Sequence, residues 1–174
     1  MNGNCHFMYG ATVGIMLTVN LDTISTILPQ IVNTQEMGTL FVLGGLMGGI
    51  FPDIDNPSSH MGQLSKPLST IIGVINKKFG KVGANHRGIL HDPIVYVIGL
   101  ILSYIFMPSL IGIFIGCLSH LFLDMFNYKG IPFFLFKRIS VAKIESDSTG
   151  STICTVLWIL VTVVLGIFIK IRTI

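Results

Sequence analysis

Charged residues are scarce in this sequence. Of its 174 residues, only 11% are Asp, Glu, Lys or Arg, whereas 51% are hydrophobic, and the mean hydropathy is +0.78. Soluble domains ordinarily contain about 25% charged residues. The low charge therefore excludes an ordinary soluble domain and predicts an integral membrane protein.

Cysteine is also rare. The sequence has only Cys5, Cys117 and Cys154, and each lies in or beside an apolar segment. A disulfide framework normally uses an even number of cysteines in a short chain of an oxidising compartment. We therefore expect reduced, buried thiols, and these residues do not indicate a function.

Long apolar stretches are present. The five that stand out cover residues 7–28, 37–51, 89–107, 110–126 and 153–169. A membrane-spanning helix needs about 20 residues, so the second stretch is short for a full crossing. The pattern predicts a single all-α membrane domain over residues 1–174, built as a bundle of about five transmembrane helices.

Basic residues are distributed unevenly between the connections. Nine of the eleven Lys and Arg residues lie at 53–88 and 127–150, and only Lys170 and Arg172 lie on the opposite side. Cytoplasmic loops of membrane proteins carry an excess of Lys and Arg. We therefore predict a multi-pass protein of the cell membrane whose N-terminus and lysine-rich connections are cytoplasmic.

Histidines and aspartates recur where the predicted helices begin or end on this cytoplasmic side. They are His6, Asp53, Asp55, His86, His91, His120 and Asp124. Ionisable groups at membrane depth are costly and are functional by default. Their common side predicts one metal site at the cytoplasmic end of the bundle.

The strongest pair is His120 and Asp124, in the segment SHLFLD. Residues four apart lie on one face of a helix, and imidazole and carboxylate are ordinary zinc ligands. The alternative is a hydrogen-bonded structural pair. Metal binding is favoured because the pair lies in an apolar helix.

Asp53 and Asp55 follow Pro52 in the segment FPDIDNP. In extended backbone their carboxylates point the same way, so the pair could bridge two divalent ions. Asp-rich turns are also common helix stops, and without the histidines this interpretation would have equal weight.

The segment NHRGILHDP contains His86, Arg87 and His91. Two histidines separated by a turn at Gly88 can reach one metal centre. Arg87 offers a planar fork for a phosphate or carboxylate, or anchors the chain among lipid headgroups, and both interpretations have similar weight.

Taken together, these segments resemble the YdjM-type membrane-bound metal-dependent hydrolases. The resemblance rests on an N-terminal histidine (His6), PDID at 52–55, HRGILH at 86–91 and SHLFLD at 119–124. It implies hydrolase activity, and the ligand pattern is distantly similar to that of zinc-dependent phospholipase C, by analogy only. That family often has a glutamate early in the last helix, whereas here Glu145 in the preceding loop is the nearest candidate.

The implied cofactor is a divalent metal, zinc or alternatively manganese, with one to three ions and two favoured because the ligands exceed those of a simple zinc site. Asp53, Asp55 and Arg87 are the candidate catalytic residues, with Asp53 or Asp55 as general base. The expected substrate is a phospholipid or a lipid-linked phosphate at the membrane surface. The stretch 57–85 contains an amphipathic pattern that predicts an interfacial helix, which admits a lipid to the site or covers it.

Two other functions use the same residues. A divalent-metal or proton transporter would place its ligands near the bilayer midplane with access from both sides. A noncatalytic, metal-stabilised scaffold would bind the ion without turnover. Nucleic acid is not an expected partner, because the net charge of +3 is modest and anionic lipid accounts for the lysines.

Overall fold

The apolar stretches form α-helices in the computed structural model, which describes residues 3–79, 87–133 and 137–173. The helices are α1 (Gly3–Val19), α2 (Leu21–Ile27), α3 (Gln35–Gly48), α4 (His60–Leu64), α5 (Lys66–Phe79), α6 (Pro93–Phe106), α7 (Ile111–Met125) and α8 (Thr149–Arg172). Short 3₁₀ helices cover Phe51–Asp55, Ile89–His91 and Pro108–Leu110. The predicted all-α membrane fold is confirmed.

The structure also contains a small antiparallel hairpin, formed by β1 (Ile131–Phe133) and β2 (Lys137–Ile139). In this hairpin Ile131 pairs with Ile139.

Three helical stretches in the described part of the chain are long and apolar enough to cross a membrane: Gln35–Asp55, Pro108–Met125 and Thr149–Arg172. Helices α1 and α2 are bent by 70° and together give a fourth candidate. The remaining predicted stretch, residues 89–107, forms α6, whose 14 residues are about 21 Å long. Helix α6 is therefore shorter than a hydrocarbon core of about 30 Å.

Glycines bring α1, α3 and α7 into direct backbone contact. A Cβ atom at Gly10 would lie 2.3 Å from the carbonyl oxygen of Gly45, and one at Gly48 would lie 2.2 Å from that of Ile113. Such close approach is typical of helix pairs in membranes, where small residues let the backbones meet. This glycine seam, formed by Gly10, Gly14, Gly44, Gly45, Gly48, Gly112 and Gly116, aligns the start of α1 with the ends of α3 and α7.

Helix α8 packs on α1 through an aromatic cluster. Buried Tyr9 and Leu123 contact Trp158, whose ring centroid lies 4.6 Å from that of Phe122. The outer side of α8 is lined with exposed Leu, Ile, Val and Phe side chains, as expected for contact with lipid. The three cysteines are free, as the sequence predicts, and Cys5 and Cys117 are buried, whereas Cys154 is only partly buried.

Helix α5 within the predicted interfacial segment is amphipathic with its polar side inward. Leu68, Ile71 and Ile75 are exposed, whereas Ser69 and Asn76 are buried against the protein. This arrangement agrees with the predicted amphipathic pattern. Its location at a membrane surface stays a prediction.

Candidate metal centre

The ends of several helices bring the predicted ligands together. His6 lies near the start of α1, Asp53 and Asp55 in the 3₁₀ helix after α3, His91 in the 3₁₀ helix before α6, and His120 and Asp124 in the last turns of α7. All of these residues except Asp53 are buried. The remaining predicted ligand, His86, lies outside the described residues.

Four donor atoms surround one point at this end of the bundle. His91 Nε2 lies 3.8 Å from Asp53 Oδ1 and 3.7 Å from Asp124 Oδ2. His120 Nε2 lies 3.7 Å from Asp53 Oδ1 and 3.6 Å from Asp124 Oδ2. Ligands of a tetrahedral zinc ion at its usual bond lengths are separated by about 3.3–3.6 Å. The four His–Asp separations are close to that range, and Asp53, His91 and His120 together form one group of donor atoms within 4.8 Å of one another.

His6 adds a fifth candidate donor beside these four. Its ring stacks on that of His120 with centroids 3.7 Å apart, and its Nε2 lies 3.2 Å from Asp124 Oδ1. With His120 and Asp124 it forms a second group of donor atoms within 4.8 Å of one another. Because one imidazole nitrogen binds one ion, both groups cannot use His120 at once. A second ion would need Asp124 as a bridge.

Hydrogen bonding prepares His120 to bind a cation. Its Nδ1 lies 2.8 Å from the carbonyl oxygen of Gly49, which can only accept, so Nδ1 carries the hydrogen and Nε2 of the neutral ring has the lone pair. His120 Nε2 and both ring nitrogens of His6 are buried without a hydrogen-bond partner among the described residues. Buried polar atoms are rarely left in this state. A metal ion would satisfy His120 Nε2 and one ring nitrogen of His6.

Asp55 lies behind His91 and outside both donor groups. Its Oδ2 is 3.3 Å from His91 Nδ1 and accepts hydrogen bonds from the backbone N–H groups of Arg87 and Gly88, each at 3.2 Å. A carboxylate in this position fixes the ring orientation of a metal-binding histidine. The geometry favours orientation of His91 for Asp55, rather than the ligand or general-base roles that the sequence indicated.

Carboxylates also determine the charge preference at His91. Burial alone would lower the pKa of His91, yet the adjacent carboxylates of Asp53, Asp55 and Asp124 outweigh it and raise this pKa to about 9. The position therefore favours a positive charge, which either a proton or a metal ion provides.

Arg87 is buried and binds a carboxylate of the cluster. Its Nη2 donates to Asp124 Oδ1 at 2.9 Å, and its Nη1 donates to the carbonyl oxygen of Gly130 at 3.2 Å. Its backbone has a positive φ of 75°, which is uncommon for a residue other than glycine. The guanidinium thus balances the charge of Asp124 and joins its own loop to the start of the hairpin. The sequence predicted a carboxylate as a partner of Arg87, and the one found in the structure belongs to the protein itself.

Sequence reasoning missed further residues that hold this loop. Asn76 Oδ1 accepts from the backbone N–H of Ile89 at 3.1 Å, and Arg138 Nη2 donates to the carbonyl oxygen of Arg87 at 2.9 Å. A signal for Asn76 was available in the sequence. On a helical wheel, Asn76 lies on a different side of α5 from the apolar residues Leu68, Ile71 and Ile75. Arg138 is one of four basic residues at 127–150, and the sequence did not distinguish it from the other three.

Glu145, the candidate substitute for a late glutamate, does not join the cluster. Its side chain is exposed, and neither donor group found among the described residues includes it. Early in α8, buried Ser151 and Thr155 occupy the inner side of the helix instead. The site therefore draws its donors from residues 6–124.

Comparison with known families adds an independent finding. The family described as YdjM inner membrane protein matches residues 1–173, which is almost the whole chain. The chain belongs to the YdjM family. The resemblance seen in the PDID, HRGILH and SHLFLD segments is thereby confirmed.

Two curated relatives of this YdjM-family chain are the inner membrane protein YdjM of Escherichia coli (strain K12) and that of Shigella flexneri. Each is 30% identical over 95 residues, which cover 48% of this chain and 42% of the relative. The match therefore spans less than half of either relative's length. No solved structure matches the chain.

Proposed function

We propose that this chain is a membrane-bound, metal-dependent hydrolase that cleaves a phosphoester of a lipid or another amphiphile at the cytoplasmic membrane surface. The observation that supports it best is the convergence of Asp53, His91, His120 and Asp124, whose facing donor atoms lie 3.6–3.8 Å apart. Imidazole and carboxylate donors in this number suit zinc, with manganese as the alternative.

The roles of the residues follow from their contacts. Asp53, His91 and His120 would hold one ion, with Asp124 and His6 as further donors beside them. A bound divalent ion supplies Lewis acidity, which polarises the ester and lowers the pKa of water. Arg87 balances the charge of Asp124 and holds it in place through its 2.9 Å hydrogen bond.

Asp53 is the better candidate for the general base. Its side chain is 17% exposed, whereas that of Asp55 is fully buried. Asp55 is also committed to two backbone N–H groups and faces His91. The carboxylate oxygen of Asp53 that does not face the histidines can take a proton from water at the mouth of the site and pass it to solvent, so we assign this step to Asp53.

The substrate class follows from the surroundings of the site. Nine basic residues lie in the connections on this side, and exposed Leu68, Ile71 and Ile75 lie on the neighbouring α5. Positive charge beside an apolar surface suits an anionic headgroup with a hydrocarbon tail. A phospholipid or a lipid-linked phosphate meets both requirements.

The deciding experiment measures bound metal by elemental analysis in purified wild-type protein, His120→Ala and the control Glu145→Gln. Release of phosphate or headgroup from a lipid panel is measured on the same samples. We expect stoichiometric metal and turnover in wild type and the control, and loss of both in His120→Ala.

Two results would contradict the proposal. A folded wild-type protein without metal would overturn the metal centre. Metal without turnover would overturn the hydrolase and leave the scaffold and the transporter, which metal flux into proteoliposomes separates.

A further inference from the structure

Helix α5 presents three different surfaces. Leu68, Ile71 and Ile75 form an apolar stripe at helical spacing, with exposed fractions of 45%, 56% and 40%. Lys66 and Thr70, four residues apart, are exposed on a second side. At 100° per residue the mean directions of these two sides and of the buried side are separated by about a quarter turn or more.

The apolar stripe requires a partner other than water. Three large aliphatic side chains at this spacing would expose a continuous hydrophobic surface. The helix belongs to the connection on the metal-centre side of a membrane bundle, so the adjacent hydrophobic phase is the lipid layer. An amphipathic helix with an apolar stripe and a polar side lies along such a surface.

The buried side of α5 contacts the loop that supports the metal centre. Asn76 Oδ1 accepts from the backbone N–H of Ile89, and a Cβ atom at Gly88 would lie 2.2 Å from Asn76 Cγ. The amide of Asn76 therefore fills the space that the absent side chain of Gly88 leaves.

The same loop holds two carboxylates of the centre. The backbone N–H groups of Arg87 and Gly88 bind Asp55, which orients His91, and the guanidinium of Arg87 binds Asp124. A displacement of the loop would therefore misplace His91 and Asp124 together. The hydrogen bond of Asn76 goes to the backbone of Ile89 and not to a residue of either donor group. Asn76 therefore acts on the centre through the loop at residues 87–89.

We propose that α5 is a membrane-seated positioning helix: its Leu68–Ile71–Ile75 stripe lies in the lipid headgroup layer, and Asn76 on its inner side fixes the loop that orients the metal ligands. The inference rests on the proposed metal centre. It adds a lipid-binding surface and a positioning residue, Asn76, to that centre.

The positioning role is tested by zinc affinity in nanodiscs that contain anionic phospholipid. Asn76→Leu removes the acceptor, and residues that orient ligands typically contribute 10–100-fold to metal affinity, so we expect a loss of about that size. Asn76→Asp retains the acceptor and should keep the affinity within about threefold of wild type. Thr70→Ala, an exposed position on the same helix, is the matched control and should bind as wild type does.

The membrane contact is tested with nitroxide labels at Ile71→Cys and Thr70→Cys in a Cys154→Ser background, since Cys5 and Cys117 are buried. Electron paramagnetic resonance then measures how strongly each reagent enhances the spin relaxation of the label. We expect lipid-soluble oxygen to act more strongly on the label at 71, and a water-soluble nickel complex to act more strongly on the label at 70. The reverse pattern, or equal exposure to water, would overturn the seated helix.

The outcomes separate this inference from the proposed function. Wild-type affinity in Asn76→Leu would overturn the positioning role while leaving the metal centre intact. Equal losses in Asn76→Leu and Asn76→Asp would also overturn it, because the acceptor would then be irrelevant. Absence of zinc binding in wild type would contradict the metal centre itself.

Discussion

The two ends of the helix bundle both pair acidic with basic side chains, but under opposite conditions. At the candidate metal centre, Arg87 and Asp124 pair with side-chain exposures of only 4% and 1%. At the other end, Lys170 Nζ lies 2.6 Å from Asp22 Oδ2 with 33% and 48% exposure. Water competes with the exposed pair, whereas desolvation makes the buried one costly to assemble and costly to break. Burial, rather than residue type, distinguishes a candidate site from a surface contact.

The end opposite to the metal centre also has a cavity of different chemistry. It has a volume of about 540 Å³ and is lined by residues of α1, α2, α3, α6 and α7 such as Leu17, Phe41, Leu100 and Ile115. Apart from the hydroxyl group of Tyr104, its lining side chains are hydrocarbon. Such a cleft suits lipid tails, whereas the buried histidines and aspartates named above lie at the metal-centre end.

Asp124→Asn should give the largest difference between the two ends. It removes a ligand and leaves the buried guanidinium of Arg87 without its counter-charge, so we expect loss of metal and a destabilisation of about 3–5 kcal/mol. Elemental analysis and unfolding followed by circular dichroism measure both effects. Asp22→Asn at the other end is the control, and equal effects of the two substitutions would contradict the comparison.

Asp55→Asn should produce a smaller, purely functional loss. The amide oxygen can still accept from the N–H groups of Arg87 and Gly88, but the charge that orients His91 is gone. We expect zinc affinity to fall by about 10–100-fold while one ion still binds at saturation. Competition titration with a fluorescent chelator measures this change. Complete loss of binding would instead indicate that Asp55 is itself a ligand.

Gly48→Ala should show whether the glycine seam holds the site together. The added Cβ would lie 2.2 Å from the carbonyl oxygen of Ile113, so α3 and α7 must separate, at a cost of about 1–3 kcal/mol. Gly73→Ala on α5 has nothing within 4 Å of the new Cβ and should be neutral or slightly stabilising. Midpoints of thermal unfolding test the pair. Matching midpoints for the two variants would exclude the seam as a constraint.

Lys170→Met should have the smallest effect. The ion pair with Asp22 is exposed, and such pairs contribute little because solvent screens them. We expect no measurable change in unfolding midpoint or in metal content. A clear loss of stability would show that the contact between α2 and α8 matters more than its exposure indicates.

Some of this architecture could be predicted from the sequence and some could not. His120 and Asp124 have the helical spacing that places both on one face, and the alternation of apolar stretches was enough to bring His6, Asp53 and His91 to the same end. The particular roles of Asp55 and Arg87 depend on tertiary contacts across more than 30 residues, such as the 3.2 Å hydrogen bond between Arg87 N and Asp55 Oδ2. Sequence spacing has no information about such contacts.

The hairpin and Asn76 illustrate the same limit from another direction. Ile131 of β1 is fully buried beside α6 and α7, and no periodic pattern in the sequence indicates this position. The role of Asn76 depends on its hydrogen bond with the backbone N–H of Ile89, which lies 13 residues further along the chain. Local patterns predict helices and faces, whereas the partners of buried polar groups require the assembled fold.

The glycine seam has a consequence for the response of the protein to its membrane. Bilayers differ in thickness by several ångströms, and single helices adapt to them by tilting independently. Helices α1, α3 and α7 meet backbone to backbone, without side chains that could change rotamer and absorb sliding. They are therefore expected to tilt as one body, which would keep His6, Asp53 and His120 in register in thin and thick membranes alike.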